Sequence, residues 1–205
     1  MDPNTQTGPL LRTGTDADAE GVATLHAGQI GEGFLSFLGP GFLRHLYRRI
    51  ARSPESFLLV VEQGSTLVGF IAGSTDVAAL YRSFLWRDGL RAAAASGGRL
   101  LRSWRLAMET LRHGTGGAGE GAELLAVAVE PSIRGHGVGW QLVEGFLSEV
   151  DRKAVGSAHV VVASDNHRAV ALYERAGFRT VEQFELHAGT TSLMMQWVAP
   201  RDPSR

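Results

Sequence analysis

A strand, a glycine-rich loop and a helix follow one another directly between residues 124 and 140. The strand, Leu124–Val129, is apolar, and the loop after it carries Gly135, Gly137 and Gly139 at alternate positions. Glycine lets the main chain approach a ligand closely, and the N–H groups that begin a helix carry a partial positive charge. These features favour an anion at the loop, and a pyrophosphate is the anion that we expect.

The glycine spacing excludes two common pyrophosphate motifs. Trp140 stands where the dinucleotide-binding fingerprint has its last glycine, and no Gly-Lys-Ser/Thr follows as in a P-loop. A tight strand-to-helix turn that binds nothing is the alternative interpretation. The loop alone does not separate these two hypotheses.

A second segment, from Val160 to Phe178, decides between them. Together the two segments resemble the GNAT family of N-acetyltransferases, and the close match covers residues 124–179. The family's acetyl-CoA loop is matched by Arg134-x-x-Gly137-x-Gly139, and its second signature by Asn166, Ala169, Leu172-Tyr173-Glu174 and Gly177-Phe178.

The resemblance implies transfer of an acetyl group from acetyl-CoA to an amine by direct attack in a ternary complex. It implies that loop N–H groups hold the pyrophosphate and that the strand edge hydrogen-bonds the pantetheine arm. A main-chain N–H near Val129 would polarise the thioester carbonyl. The cofactor-binding residues implied in this way are Val127, Ala128, Val129, Arg134, Gly135, His136, Gly137, Val138, Gly139 and Asn166.

Three further residues are candidates for proton transfer. Tyr173 matches the family's general acid, which protonates the CoA thiolate as it leaves; its alternative role is core packing. Glu123, at the start of the strand, matches the catalytic glutamate of histone-acetylating members, and its alternative is a solvated strand end. Glu32 is the rival general base, and either carboxylate could act through water.

The acceptor is predicted to be a small primary amine or an amino sugar. Acetylation of a protein lysine or N terminus is one alternative, and a non-catalytic acyl-CoA-binding regulatory module is another. Family members that acetylate ribosomal-protein N termini carry a glutamate where this chain has Val161, which counts against a peptide acceptor.

An arginine-rich segment, residues 77–113, separates the third and fourth predicted strands. It is either a solvated helix pair or the wall of a cleft for an anionic acceptor. Apolar side chains from Phe34 to Tyr47 suit an opposite wall, ordinary core or the seam of a homodimer. The arginines of the segment are Arg82, Arg87, Arg91, Arg99, Arg102, Arg105 and Arg112.

These motifs belong to a mixed α/β domain, and the resemblance implies a mostly antiparallel sheet with flanking helices and a helical insert. We expect tails at 1–9 and 200–205, an acetyltransferase domain at 10–199 and a Gly-rich linker at 114–121. Apolar periodicity predicts strands at 10–12, 57–62, 66–72, 123–129, 159–163, 181–186 and 193–198. It predicts helices up to residue 29 and at 41–52, 77–112, 139–150 and 166–176.

Composition argues against several other classes of protein. The 20 Lys and Arg against 21 Asp and Glu give a net charge of −1, which disfavours a nucleic-acid partner. The chain has no Cys and no closely spaced His pair, so we expect no disulfide and no metal. Residues 1–9 lack a signal-peptide pattern, and no apolar run approaches the length of a membrane span. A cytoplasmic location without membrane contact is therefore the prediction.

Overall fold

A seven-stranded sheet carries helices on both faces, and the computed structural model describes residues 8–30, 39–95, 121–185 and 191–200. The strands are β1 (Leu10–Thr13), β2 (Ser56–Gln63), β3 (Thr66–Ser74), β4 (Ala122–Val129), β5 (Ser157–Ala163), β6 (Arg179–Glu185) and β7 (Thr191–Val198). The helices are α1 (Ala19–Gln29), α2 (Pro40–Arg52), α3 (Val77–Ala95), α4 (Val138–Arg152) and α5 (His167–Arg175). The strands are arranged in the order β1-β2-β3-β4-β5-β7-β6.

The two faces of the sheet have separate apolar cores. Helices α1, α2 and α3 cover one face, which we call the α1 face, and helices α4 and α5 cover the other, the α4 face. Strands β2 and β3 lie under helices on both sides, so Ser56–Val61 and Val68–Ser74 are buried as continuous runs. Such runs are typical of strands that are covered on both faces.

Strands β4 and β5 are the one parallel pair in the described sheet, and they pair over a very short length. Their register contains two positions, Ala122 with Ala158 and Glu123 with His159. Beyond those positions β4 continues to Val129 and β5 to Ala163 without pairing to each other. The strands therefore diverge, and the gap between them, which we call the wedge, has its apex at Glu123 and His159.

A β-bulge lies in β4 just past the apex of the wedge. Ala126 pairs with Ala72 of β3, whereas Leu124 pairs with Gly73, so Leu125 is an extra residue in the strand. A bulge reverses which side chains face each side of a sheet. As a result Leu125 and Ala126 both pack toward the α1 face, and Val127 packs in the core of the α4 face.

The structure confirms the predicted order of strands and helices and the mixed, mostly antiparallel sheet. Within the described residues, each predicted strand or helix boundary lies within two residues of the observed one. The helical segment after β3 is seen as α3, while residues 96–120 of the predicted insert and linker lie outside the described residues. No helix in the described ranges is long and apolar enough to cross a membrane.

Candidate active site

The loop between β4 and α4 is built on two left-handed glycines. Gly135 has φ +86° and Gly137 has φ +84°, a region that side-chain-bearing residues rarely adopt. A Cβ placed on either glycine would meet no atom of the described residues within 4 Å. Helix α4 begins at Val138, and no described side chain caps its N terminus.

The main-chain N–H groups of this loop divide into two sets. The N–H groups of Arg134 and His136 donate within the turn, to the carbonyls of Pro131 and Ile133, each at 3.3 Å. A second set has no hydrogen-bond partner among the described residues: the N–H groups of Gly135, Gly137, Val138 and Gly139. Unpaired N–H groups at a helix N terminus bind anions such as phosphate, so the loop fits a pyrophosphate.

The side chain of Arg134 fastens the loop to its surroundings. Its Nε donates to the carbonyl of Val129 at 3.1 Å, and an Nη donates to Oε1 of Gln29, the last residue of α1, at 2.5 Å. The neighbouring His136 is exposed, with Nδ1 3.2 Å from the Ile133 carbonyl. Arg134 therefore fixes the position of the loop, and its main-chain N–H is already used inside the turn.

The edge of β4 presents main-chain groups to the wedge. The N–H of Glu130 donates to the carbonyl of Val68 in β3 at 2.8 Å. Because N–H groups alternate in direction along a strand, those of Val127 and Val129 point the other way, into the wedge. Ala128 directs its main chain toward β3, where it pairs with Phe70.

Tyr173 lies on α5 and packs in the core of the α4 face. It is 3% exposed, and its ring centroid lies 5.7 Å from that of Phe178. Its hydroxyl has no hydrogen-bond partner among the residues that the structure describes. Burial raises the pKa of the Tyr173 phenol above its ordinary value, so the group keeps its proton at neutral pH.

Asn166 is the N-cap residue of α5 and lies at the open end of β5. Its Oδ1 accepts a hydrogen bond from the N–H of Ala169 at 3.2 Å, which caps the helix. The residue is exposed, and its side-chain NH₂ group has no partner in the described structure. Asn166 can therefore cap α5 and donate to a ligand at the same time.

Glu123 stands at the apex of the wedge on the α1 face. Its neighbours Ala122 and Leu124 pack in the α4 face, so side-chain alternation directs Glu123 to the opposite side. Its Oε2 lies 3.6 Å from Nε2 of His159 on β5. Burial and the charge of Glu123 raise the pKa of Tyr81, on α3, to about 12. Glu123 and Tyr173 thus approach the sheet from opposite faces.

Comparison of the chain with known protein families identifies the family to which it belongs. The model of the acetyltransferase (GNAT) family matches residues 31–178. The chain belongs to the GNAT family. Mycothiol acetyltransferase of Brachybacterium faecium is 36% identical over 67 residues, 33% of this chain and 20% of that protein. A ribosomal-protein-alanine N-acetyltransferase of Escherichia coli is 35% identical over 57 residues, 28% of this chain and 38% of that protein.

Solved GNAT structures share the whole fold. The ribosomal-protein-alanine N-acetyltransferase of Escherichia coli matches with a TM-score of 0.64 at 12% identity, over 96% of this chain and 98% of that one. Salmonella typhimurium yncA, whose structure contains its cofactor acetyl-CoA, matches with a TM-score of 0.63 at 16% identity, over 97% and 98%. At these identities the likeness concerns the fold.

The predicted residues of this GNAT chain fall into a site and a separate surface. The glycine loop, the edge of β4, Asn166 and Glu123 lie on the two strands that border the wedge or on the turns that follow them, and Tyr173 packs in the core of the α4 face. Arg82 and Arg87 instead line a cavity of about 500 Å³ between α2 and α3, beside Arg49 and Arg52. Its lining contains no residue of β4 or β5. The side chains of the other five arginines, together with Glu32, lie outside the described residues.

His159, the register partner of Glu123, is a residue at the apex of the wedge that the sequence analysis did not single out. It is 7% exposed, and its Nε2 has no hydrogen-bond partner within the described structure. One signal was available, because His159 is the one residue with an ionisable side chain in the strand Ser157–Ala163, which is otherwise Ser, Ala and Val. Its pairing with Glu123 depends on the register of the parallel strands, which no local motif specifies.

Proposed function

We propose that this chain transfers the acetyl group of acetyl-CoA to the primary amine of a small molecule, with amino sugars as the first class of acceptor to test. The observation that carries the proposal is the set of N–H groups of Gly135, Gly137, Val138 and Gly139, which have no hydrogen-bond partner in the described ranges. They lie beside the length of β4 that does not pair with β5. A pyrophosphate and an amide-containing arm are what those two features would bind.

The loop and strand edge supply binding and polarisation. The N–H groups of Gly135, Gly137, Val138 and Gly139 hold the pyrophosphate, and Arg134 keeps the loop in place through Val129 and Gln29. The N–H groups of Val127 and Val129 are directed into the wedge. One of them donates to the thioester carbonyl oxygen and stabilises the negative charge that develops on it.

The two proton-transfer groups act from opposite faces of the sheet. The amine nitrogen attacks the thioester carbon after its ammonium form has lost a proton to Glu123 through water. When the tetrahedral intermediate collapses, the carbon–sulfur bond breaks and the sulfur takes the proton of the Tyr173 hydroxyl. The nitrogen loses its second proton to solvent, and the Tyr173 phenolate takes up one proton from solvent. The products are the amide and CoA.

The comparisons support acetyl transfer and leave two classes of acceptor, a small molecule and a protein N terminus. One relative is named for mycothiol and another for a ribosomal-protein alanine. Val161 occupies the strand position where N-terminal acetyltransferases of the ribosomal-protein type carry glutamate, and it supports the small-molecule class. Homodimer formation and a cytoplasmic location remain predictions from the sequence.

A panel of acceptors tests the proposal. The release of the CoA thiol from acetyl-CoA is measured with glucosamine, spermidine and a peptide with N-terminal alanine. We expect turnover with at least one of the two small amines and little with the peptide. Turnover with the peptide alone would replace the small-molecule proposal with the N-terminal one. Acetyl-CoA binding without turnover on any amine would favour a non-catalytic acyl-CoA-binding module.

A further inference from the structure

A carboxylate and an imidazole are brought together at the apex of the wedge. Glu123 and His159 are register partners in β4 and β5, and their side chains approach to 3.6 Å between Oε2 and Nε2. His159 is almost fully buried, and its Nε2 has no hydrogen-bond partner in the described structure. The neighbouring core positions of β5, Val160 and Val162, are apolar and bury no unpaired polar atom.

The burial of an unpaired ring nitrogen disfavours folding, because the nitrogen loses its hydrogen bonds to water and gains none. Packing alone does not require this residue, since an apolar side chain would avoid that loss. The position of the nitrogen beside a carboxylate is explained if the pair holds a proton for part of the time. A proton between Oε2 and Nε2 gives both groups a partner.

We propose that Glu123 and His159 act as one proton-accepting pair for the acceptor amine, with His159 as the residue that positions Glu123 and shares its proton. This inference rests on the proposed acetyl transfer and extends the role of Glu123 to a second residue. The ammonium proton passes through bridging water to the pair. The pair then releases it to solvent before the next turnover.

The location of the pair agrees with this role. The pyrophosphate loop lies beyond Val129, at the mouth of the wedge, so an extended arm along β4 directs its acyl end toward the apex. Val127 and Glu123 are four residues apart, about 13 Å along a strand, which leaves room for the amine and bridging water. The pair is on the α1 face, away from Tyr173, so acid and base do not compete for one position.

The other polar groups around the pair are poor proton acceptors. Burial and the charge of Glu123 raise the pKa of Tyr81 to about 12, so its hydroxyl stays protonated. Ser74, the register partner of Glu123 on β3, donates its hydroxyl to the carbonyl of Glu55 at 3.0 Å. Gln196, the register partner of His159 on β7, carries an amide that does not titrate.

The first test measures the coupling of the two groups without any acceptor. The ring proton resonances of His159 are compared by NMR in the wild type and in Glu123→Gln at the pH of the acetylation assay. Loss of a carboxylate whose Oε2 lies 3.6 Å from Nε2 is expected to move those resonances. Unchanged resonances would overturn the pair.

His26 is the matched control for this measurement. It is 2% exposed, lies on the same α1 face, and its Nδ1 is 2.5 Å from the hydroxyl of Tyr47. Burial lowers the pKa of His26 to about 4, and no contact joins it to Glu123. Its resonances should therefore not move in Glu123→Gln, and they are assigned from His26→Gln.

The second test measures the role of the pair in turnover. With the best amine of the panel, His159→Gln is expected to lower kcat about tenfold and to shift the acidic limb of the profile of kcat against pH. The affinity for acetyl-CoA is expected to stay unchanged. His26→Gln should alter thermal stability and leave that profile in place. Glu123→Gln provides the same readout if His159→Gln does not fold.

The outcomes separate the pair from the proposed function. A wild-type pH profile in both His159→Gln and Glu123→Gln, with turnover intact, would overturn the pair and leave acetyl transfer standing. A wild-type protein that binds acetyl-CoA but acetylates no amine would overturn acetyl transfer, and the proton-accepting role with it.

Discussion

Each of the two strands beside the wedge is followed by a turn and a helix. The two turns differ in whether the N–H groups at the start of the helix have hydrogen-bond partners. In the turn from β4 to α4, Gly137 precedes the helix, no side chain caps it, and four N–H groups have no partner among the described residues. In the turn from β5 to α5, Asn166 caps the helix through Ala169, and the N–H of His167 donates to the Asp165 carbonyl. An open helix N terminus is suited to bind a ligand, whereas a capped one is suited to fix a side chain.

The capped helix is also closed at its other end. Gly177 has φ +94°, and the N–H of Phe178 donates to the carbonyl of Tyr173 at 3.0 Å, which are the features of a Schellman motif. The Arg175 guanidinium lies 4.2 Å from the centre of the Trp140 ring on α4. Helix α5 is therefore held at both ends and against α4, and this fixes the position of Tyr173.

The largest expected effect is on kcat, when the hydroxyl of Tyr173 on the capped helix α5 is removed. Tyr173→Phe should lower kcat about 100-fold or more, since a general acid contributes that much, with an unchanged Kd for acetyl-CoA. Its Tm should change little, because the hydroxyl has no partner in the described residues. Tyr47→Phe is the matched control, since it removes a buried hydrogen bond to His26 and should lower Tm without a loss of kcat. Wild-type kcat in Tyr173→Phe would show that Tyr173 is core packing.

A smaller effect is expected when the open turn is altered. Gly137→Ala forces a side-chain-bearing residue into a left-handed conformation, and the loss of one well-aligned N–H to the pyrophosphate should weaken acetyl-CoA binding about tenfold. Gly64→Ala is the matched control, because Gly64 has φ +63° in the β2–β3 turn and equal free space. Both variants should lose similar stability. Equal acetyl-CoA affinity in the two variants would contradict the binding role of the loop.

The smallest effect separates the two roles of Asn166. Asn166→Ala removes the cap and should lower stability by about 1 kcal/mol, and Tm by roughly 2–4 °C for a chain of this size. Asn166→Ser keeps a cap oxygen and loses the side-chain NH₂, so it should keep most of the stability and bind acetyl-CoA a few-fold more weakly. If Asn166→Ser binds acetyl-CoA as the wild type does, Asn166 caps the helix and does not contact the cofactor.

Local signals were sufficient to predict the strands, the helices and the open turn. Apolar runs bounded by glycine predicted β4 and β5, and the alternate glycines predicted a turn at 135–139 with the main chain exposed. The expectation that the loop N–H groups hold the pyrophosphate did not distinguish the N–H groups that are free for a ligand from those that are not. Two of those groups close the turn itself, a detail that depends on the 3₁₀ turn at Pro131–Ile133.

The relation between β4 and its neighbours could not be predicted from local signals. Strict alternation places Glu123 and Val127 on one face, whereas the bulge at Leu125 places them on opposite faces. The bulge depends on the pairing with β3, where a Cβ on Gly73 would lie 2.6 Å from Phe146 and from Phe57. The pairing of Glu123 with His159 likewise arises from strands far apart in sequence.

The most direct test of the open turn is the thermal stabilisation of the purified chain by acetyl-CoA. At about 100 times its Kd the ligand should add roughly 2.7 kcal/mol to the free energy of unfolding, or about 5–10 °C in Tm. We predict this shift for the wild type and for Gly64→Ala, and a smaller one at the same concentration for Gly137→Ala. A folded wild-type protein without any shift would contradict the account and leave residues 135–139 as a structural turn.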